Sequence, residues 1–236
     1  MRRALATALA CLAVSVVASG CVGPEGRRAE ALLEQAAAAQ EHVVSESFVL
    51  RAGADFDGRS ATIEMQGGGY LKGARAGDFY ATMNGSGVSE LGALDMAMSR
   101  TGDAVTVRAA GRTVPMSAPA AEKEYGSPTD LLDLARYVKS VSVDEGSLEG
   151  RPADRIVGTL DTQAMLESAG AFVDELLTSG GGGLGDIRVV LVVPRDTHLV
   201  EVMLADLDVG AGGKKAHVSL SLAVRRVNES VSIPRL

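Results

Sequence analysis

Apolar positions keep a helical period early in the chain and then change to a period of two. Between Arg27 and Val44, Leu32, Leu33, Ala36, Ala39, Gln40 and Val43 fall along one stripe, the spacing of one helix face. Alanine is the best helix former, so the AAAA run strengthens that reading. From Glu46 onward, Phe48, Leu50, Ala52, Ala54 and Phe56 alternate with Val49, Arg51, Gly53 and Asp55. A DG turn at 57–58 follows, then Ile63 and Met65, then Phe79, Ala81 and Met83, then Leu94, Met96 and Met98. Beyond the TGD turn stand Val105 and Val107. Short sequential strands separated by turn residues predict an antiparallel meander.

Ser127-Pro128-Thr129-Asp130 opens a second predicted helix, with Ser as N-cap, Pro at the first helical position and Asp on the favourable end of the dipole. Its apolar side is Leu131, Leu132, Leu134, Ala135 and Val138. Strands resume from Val141 to Leu148, turn through EGRPAD and return as Ile156, Gly158 and Leu160. A third helix is predicted over 162–179, with Met165, Leu166, Ala169, Phe172, Val173, Leu176 and Leu177 apolar. Three strands follow a glycine loop, at 186–194, 198–206 and 214–227. Segregated helices and antiparallel strands predict an α+β fold, one large sheet with helices on one face. A sheet of about ten strands seldom stays flat. A curled sheet covered by amphipathic helices encloses a volume, and its inner face here is aliphatic.

The first residues add a location. Arg2 and Arg3 precede an uncharged run from Ala4 to Gly20, and small residues lead into Cys21. That is the pattern of an export signal; the run is short and alanine-rich for a transmembrane span. The segment resembles the lipobox of bacterial lipoproteins, although Ala18 stands where that motif more often has leucine. The expected organisation is a signal peptide at 1–20, a lipidated Cys21 with a tether to 26, and one domain over 27–236. Two or three acyl chains on Cys21 hold firmly where one would not. Cys11 leaves with the signal, so the remaining thiol has no internal partner and the domain stands on packing alone.

Composition narrows the partners. The chain carries 23 basic against 30 acidic residues, and loss of Arg2 and Arg3 makes the balance more negative. No basic patch points to nucleic acid, and attraction to anionic headgroups is not favoured. Hydrophobic residues make up 46% but aromatics only 3%, so the core either packs from small pieces or leaves a space. Catalytic chemistry is sparse. GGGGLG at 180–185 follows a helix and precedes a strand, the reverse of a dinucleotide fingerprint; it reads as a connector or a hinge. His42, His198 and His217 show no metal-ligand spacing, and no nucleophile elbow, zincin motif or Walker loop occurs. Met65, Met83, Met96 and Met98 share one strand parity. They suit an ordinary core or a pliable wall around an apolar ligand.

Three stretches carry a family resemblance: EGSLEGRPADRIVGTLD at 145–161, RVVLVVPRDTHLVEVMLADLD at 188–208 and VSLSLAVRRVNESVSIP at 218–234. They resemble the mycobacterial LppX/LprA/LprF/LprG lipoproteins, which are similar in fold to the LolA and LolB carriers. Element order matches from the first helix onward, least well over 85–121. The resemblance implies a half-barrel of antiparallel strands with helices on its concave face, enclosing a cavity for acyl chains. It implies no catalytic residue, no cofactor and no metal.

Strand parity then supplies the expected cavity wall. It comprises Phe48, Leu50, Phe56, Ile63, Met65, Phe79, Met83, Met96 and Met98 from the first meander. Ile156, Leu160, Val189, Leu191 and Val193 continue it. Arg188 marks the wet side of its strand; Glu201, taken the same way, turns Val200, Val202 and Leu204 inward. Val218, Leu220 and Leu222 complete the sheet, and Leu131, Leu134, Phe172 and Leu176 come from the helices. The expected protein is a monomeric, non-enzymatic lipoprotein on the outer face of the cell membrane. It binds and carries acylated envelope lipids or glycolipids and meets an export or transporter partner. A sensor or protein-interaction module with a collapsed cavity and a lipid hydrolase are the rival readings. Helix 128–138, helix 162–179 and the 85–121 region are the candidate gates.

Overall fold

The computed structural model describes residues 24–56, 59–87, 94–125, 137–161, 187–211 and 214–236. Helix α1 (Pro24–Gln40) leads into strands β1 (Ser45–Phe56), β2 (Arg59–Tyr70), β3 (Phe79–Ser86), β4 (Leu94–Thr101), β5 (Ala104–Ala109) and β6 (Arg112–Ser117). Helix α2 (Ala118–Tyr125) follows, then β7 (Val138–Leu148), β8 (Arg151–Leu160), β9 (Ile187–Pro194), β10 (Val202–Ala211) and β11 (Lys214–Arg225). The predicted helices over 127–138 and 162–179 lie outside the described residues, except for Tyr137 and for Val138, which opens β7.

The eleven described strands join one open antiparallel sheet in the order β6-β5-β4-β3-β2-β1-β11-β10-β9-β8-β7. Two meanders are therefore stitched by one long-range pair, β1 against β11, with Leu50 opposite Leu222. Tight turns fix the register. Leu148 faces Arg151 across Glu149 and Gly150, both with positive φ (51° and 82°), as a two-residue type I′ hairpin requires. Ala110 and Gly111 join β5 to β6 in the same way, with φ of 49° and 73°.

The sequence pattern misses β6 and α2. RTVPMS is exposed over most of its length, so burial imposes no clean alternation, and the helix of eight residues that follows is short. The expected start of α1 moves forward: Pro24, assigned to a tether, begins the helix, where a missing N–H is no loss.

Both helices pack on the same face of the sheet. Ala29 of α1 joins Leu50, Ile156, Leu191, Val193, Met203 and Leu222, with Leu32 and Leu33 packed alongside. Ala118 and Ala121 of α2 join Met98, Val105 and Val107 near the other edge. A third cluster gathers Leu160, Ile187 and Val189. After β11 the chain returns across the start of β1. The Asn228 amide donates to Ser45 O (2.7 Å), and the Val44 amide donates to Asn228 Oδ1 (2.7 Å). No described helix is long and apolar enough to cross a membrane.

Candidate functional site: the apolar face of the sheet

Cross-strand register builds an apolar row. Val143, Ile156, Leu191, Met203, Leu222, Leu50, Met65, Met83, Met96 and Ala109 stand opposite one another in sequence from β7 to β5. Directly opposed residues in an antiparallel pair project to the same face, so these side chains form one band across ten strands. A flanking row runs Val189, Ala205, Leu220, Ala52 and Ile63. A third holds Phe48, Gly67, Ala81, Met98 and Val107. The Phe48 ring lies against Gly67, where an added Cβ would sit 3.0 Å from its Cζ and 2.4 Å from Tyr80 O.

The band is not equally covered. Under α1, Ile156 and Leu191 have no exposed surface. Under α2, Met98, Val105 and Val107 are buried. Between these ends Ala52, Ile63, Met65, Met83 and Leu220 are only half-buried. Most of the expected wall thus falls on one face: Phe48, Leu50, Ile63, Met65, Phe79, Met83, Met96, Met98, Ile156, Leu160, Val189, Leu191, Val193, Val218, Leu220 and Leu222.

Strand β10 is the correction. Met203, not Leu204, faces the core: Met203 is 3% exposed and pairs with Leu191 and Leu222. Leu204 is 38% exposed on the opposite face, where it pairs with Ser221, and Val202 shares that face opposite Val192 and Ala223. Val200 precedes the strand and packs beside the core cluster from the loop. Glu201 misled the parity because it lies outside the strand, bound to Arg151. Asp206 and Asp208 carry the true alternation, with Ala205 and Leu207 at the other parity, packed on the apolar cluster of Val189. Cys21, Leu131, Leu134, Phe172 and Leu176 lie outside the described residues, as does the Phe56 side chain.

With this geometry, two solved structures compare over most of the chain. LprF from Mycobacterium bovis is 14% identical, with a TM-score of 0.57, covering 89% of this chain and 97% of that one. The fold is that of LprF. The lipoprotein LppX from Mycobacterium tuberculosis is 16% identical, covering 88% of this chain and 99% of that one, with a TM-score of 0.49. Neither a known family pattern nor a curated sequence matches the chain, so the likeness is one of fold.

In this LprF fold, a cluster of charges lies at one rim, where α1 meets strands β7 and β8 and the β9–β10 turn. Arg195 grips Asp154 through Nε (3.1 Å) and Nη2 (2.9 Å) and reaches Glu145 at 3.0 Å. Arg28 of α1 donates to the same Asp154 at 3.0 Å. Those guanidinium bonds, Arg195 first, hold the Asp154 carboxyl below the usual aspartate range even though it is 5% exposed. The sequence does not foresee that Arg28 and Asp154 tie α1 over the apolar band. Glu46 is the exception to the apolar parity. It is 2% exposed, takes one bond from Gln40 Nε2 (3.2 Å), and its Oε1 has no partner. Burial pushes its carboxyl upward, against the smaller effect of Gln40. Among the described residues no three His, Cys, Asp or Glu side chains gather as a metal site. His198 and His217 sit far apart in register, in the β9–β10 turn and on β11.

Proposed function

We propose that this chain is an exported lipoprotein, tethered through Cys21, that binds and carries an acylated lipid or glycolipid on the apolar face of its sheet. One observation carries the reading. The apolar band is closed by α1 at one end and α2 at the other, while Ile63, Met65, Met83 and Leu220 between them remain half-buried. Aliphatic and thioether side chains make a dry wall that adapts to chains of different shape. Burial of several hundred Å² of acyl surface at about 25 cal/mol per Å² offsets the loss of bilayer contact. The fold shared with LprF and the lipobox-like Cys21 support an anchored, extracytoplasmic carrier over an enzyme.

Native mass spectrometry of the full chain made in a mycobacterial host, followed by organic extraction, tests this. The expected result is an acylated species in near one-to-one ratio, displaced by charge placed in the band by Met65→Asp. An empty protein that also ignores a fluorescent fatty acid would favour a protein-interaction module instead.

A further inference from the structure

The opposite face of the sheet carries a trough of about 710 Å³. Its floor is Gly53, Ser219 and Ser221, short side chains on the paired strands β1 and β11. Taller neighbours on β3 and β10 raise the sides, Asn84 on one and Asp206 with Leu204 on the other. We propose that this trough is a second binding site, independent of the apolar face, for a neutral oligosaccharide.

Charge, shape and hydrogen-bonding inventory select that class. Among the described residues Arg51 is the one cation lining the trough, and Glu64 holds its Nε at 2.8 Å. The balance of charge along the lining is therefore negative, from Asp206, whose Oδ1 lies 3.8 Å from His217 Nε2. Phosphates and anionic headgroups find no site here. An extended peptide has no free backbone to pair with, because β1, β2, β10 and β11 are fully laddered to each other beneath the trough. Recognition is left to side chains. Serine hydroxyls and the Asn84 amide both donate and accept, and Asp206 accepts, which matches the vicinal hydroxyls of a sugar. Leu204, exposed among polar groups, offers an apolar contact sized for the C–H face of a pyranose, beside Ala52, Ile63 and Leu220, which also line the trough. Short side chains on a paired sheet lose little rotamer freedom when they bind. Four interstrand spacings of about 4.8 Å, from β3 to β10, give a span of roughly 19 Å, room for three or four sugar units.

The test is saturation-transfer NMR and calorimetry of the full chain in a zwitterionic, sugar-free detergent, with glucose, mannose and N-acetylglucosamine hexasaccharides as probes. At least one should bind with a Kd of about 1 mM or tighter. Gly53→Val fills the floor, since an added Cβ would lie 3.0 Å from Ser219 Oγ, and should weaken binding about tenfold. Asn84→Leu, at an exposed position, should do the same with an unchanged melting temperature. Both variants should take up a fluorescent fatty acid like the parent chain, which separates this site from the apolar face. Absence of binding to all three probes, or binding indifferent to both substitutions, would overturn the assignment.

Discussion

The contrast between the covered and uncovered parts of the apolar band fixes the relative cost of two truncations. Leu191→Ala removes side-chain atoms with no exposed surface, packed among Ile156, Val193, Met203 and Leu222. Large-to-small changes in such places combine lost transfer energy with a cavity term, about 3–4 kcal/mol here. At roughly 2–4 °C per kcal/mol for a domain of this size, the melting temperature should fall by about 6–16 °C. Met65→Ala acts on the same row, two strands beyond Leu222 across Leu50, but Met65 is half-buried. With part of the side chain open and no sealed void left behind, the loss should be about 1 kcal/mol. Urea unfolding followed by far-ultraviolet circular dichroism reads both, and equal m-values show that the unfolded reference has not changed. Equal losses for the two variants would refute the reasoning: the middle of the band would then be packed as tightly as its end, leaving no room for an acyl chain.

Three further outcomes follow from the charged and buried groups. Asp154→Asn removes the charge held by Arg195 and Arg28. Because both arginines are half exposed to water, the loss should be about 2–3 kcal/mol, below that of a fully buried pair. The depressed Asp154 carboxyl contributes stability that is present above the ordinary aspartate value and lost as pH falls through its lowered one; acid unfolding that is unchanged in the variant would contradict this. Glu46 has the reverse sign: its raised carboxyl binds a proton in the folded state that the unfolded chain has released. Wild-type stability should thus decline as pH rises above the ordinary glutamate value, and Glu46→Gln should flatten that decline in melting temperature. His217 Nδ1 donates to Asp208 Oδ1 at 3.0 Å, and that bond, followed by the nearby Asp208, Asp206 and Asp55 charges, raises its pKa. Its stabilising contribution is complete below the ordinary histidine value and vanishes as pH rises through the raised one. An NMR titration midpoint that does not fall in Asp208→Asn would exclude the pairing as its cause.

Legibility along the chain followed how far burial forced alternation. β1 was readable because Leu50 pairs with Leu222 on a buried face while Arg51 meets Glu64 on a wet one. β10 was not, because Val202, Met203 and Leu204 are apolar at both parities and the nearest charge, Glu201, belongs to the turn. β6 was lost for the opposite reason, since four of its residues in a row are exposed. The apolar band was largely visible as a set of residues, but its unequal cover is a tertiary property: α1 owes its position to Arg28 and Asp154, which are separated by 126 residues. The trough on the other face had no sequence signal at all. Gly53, Ser219 and Ser221 each look like ordinary solvent-facing strand residues until register sets them side by side.

The seam between β1 and β11 also dictates an order of events during synthesis. Each meander closes through neighbours in the chain, whereas Ser47 must wait for Arg225, Ala54 for Val218 and Phe56 for Ala216. Loop-closure entropy and high contact order make that seam slow. Until it forms, β1 presents a free edge lined by Phe48 and Leu50, the kind of edge that recruits other chains. Solubility of the nascent chain is therefore governed by how soon its last strand arrives, and any lesion that delays β11 should aggregate the protein while leaving the first six strands able to pair.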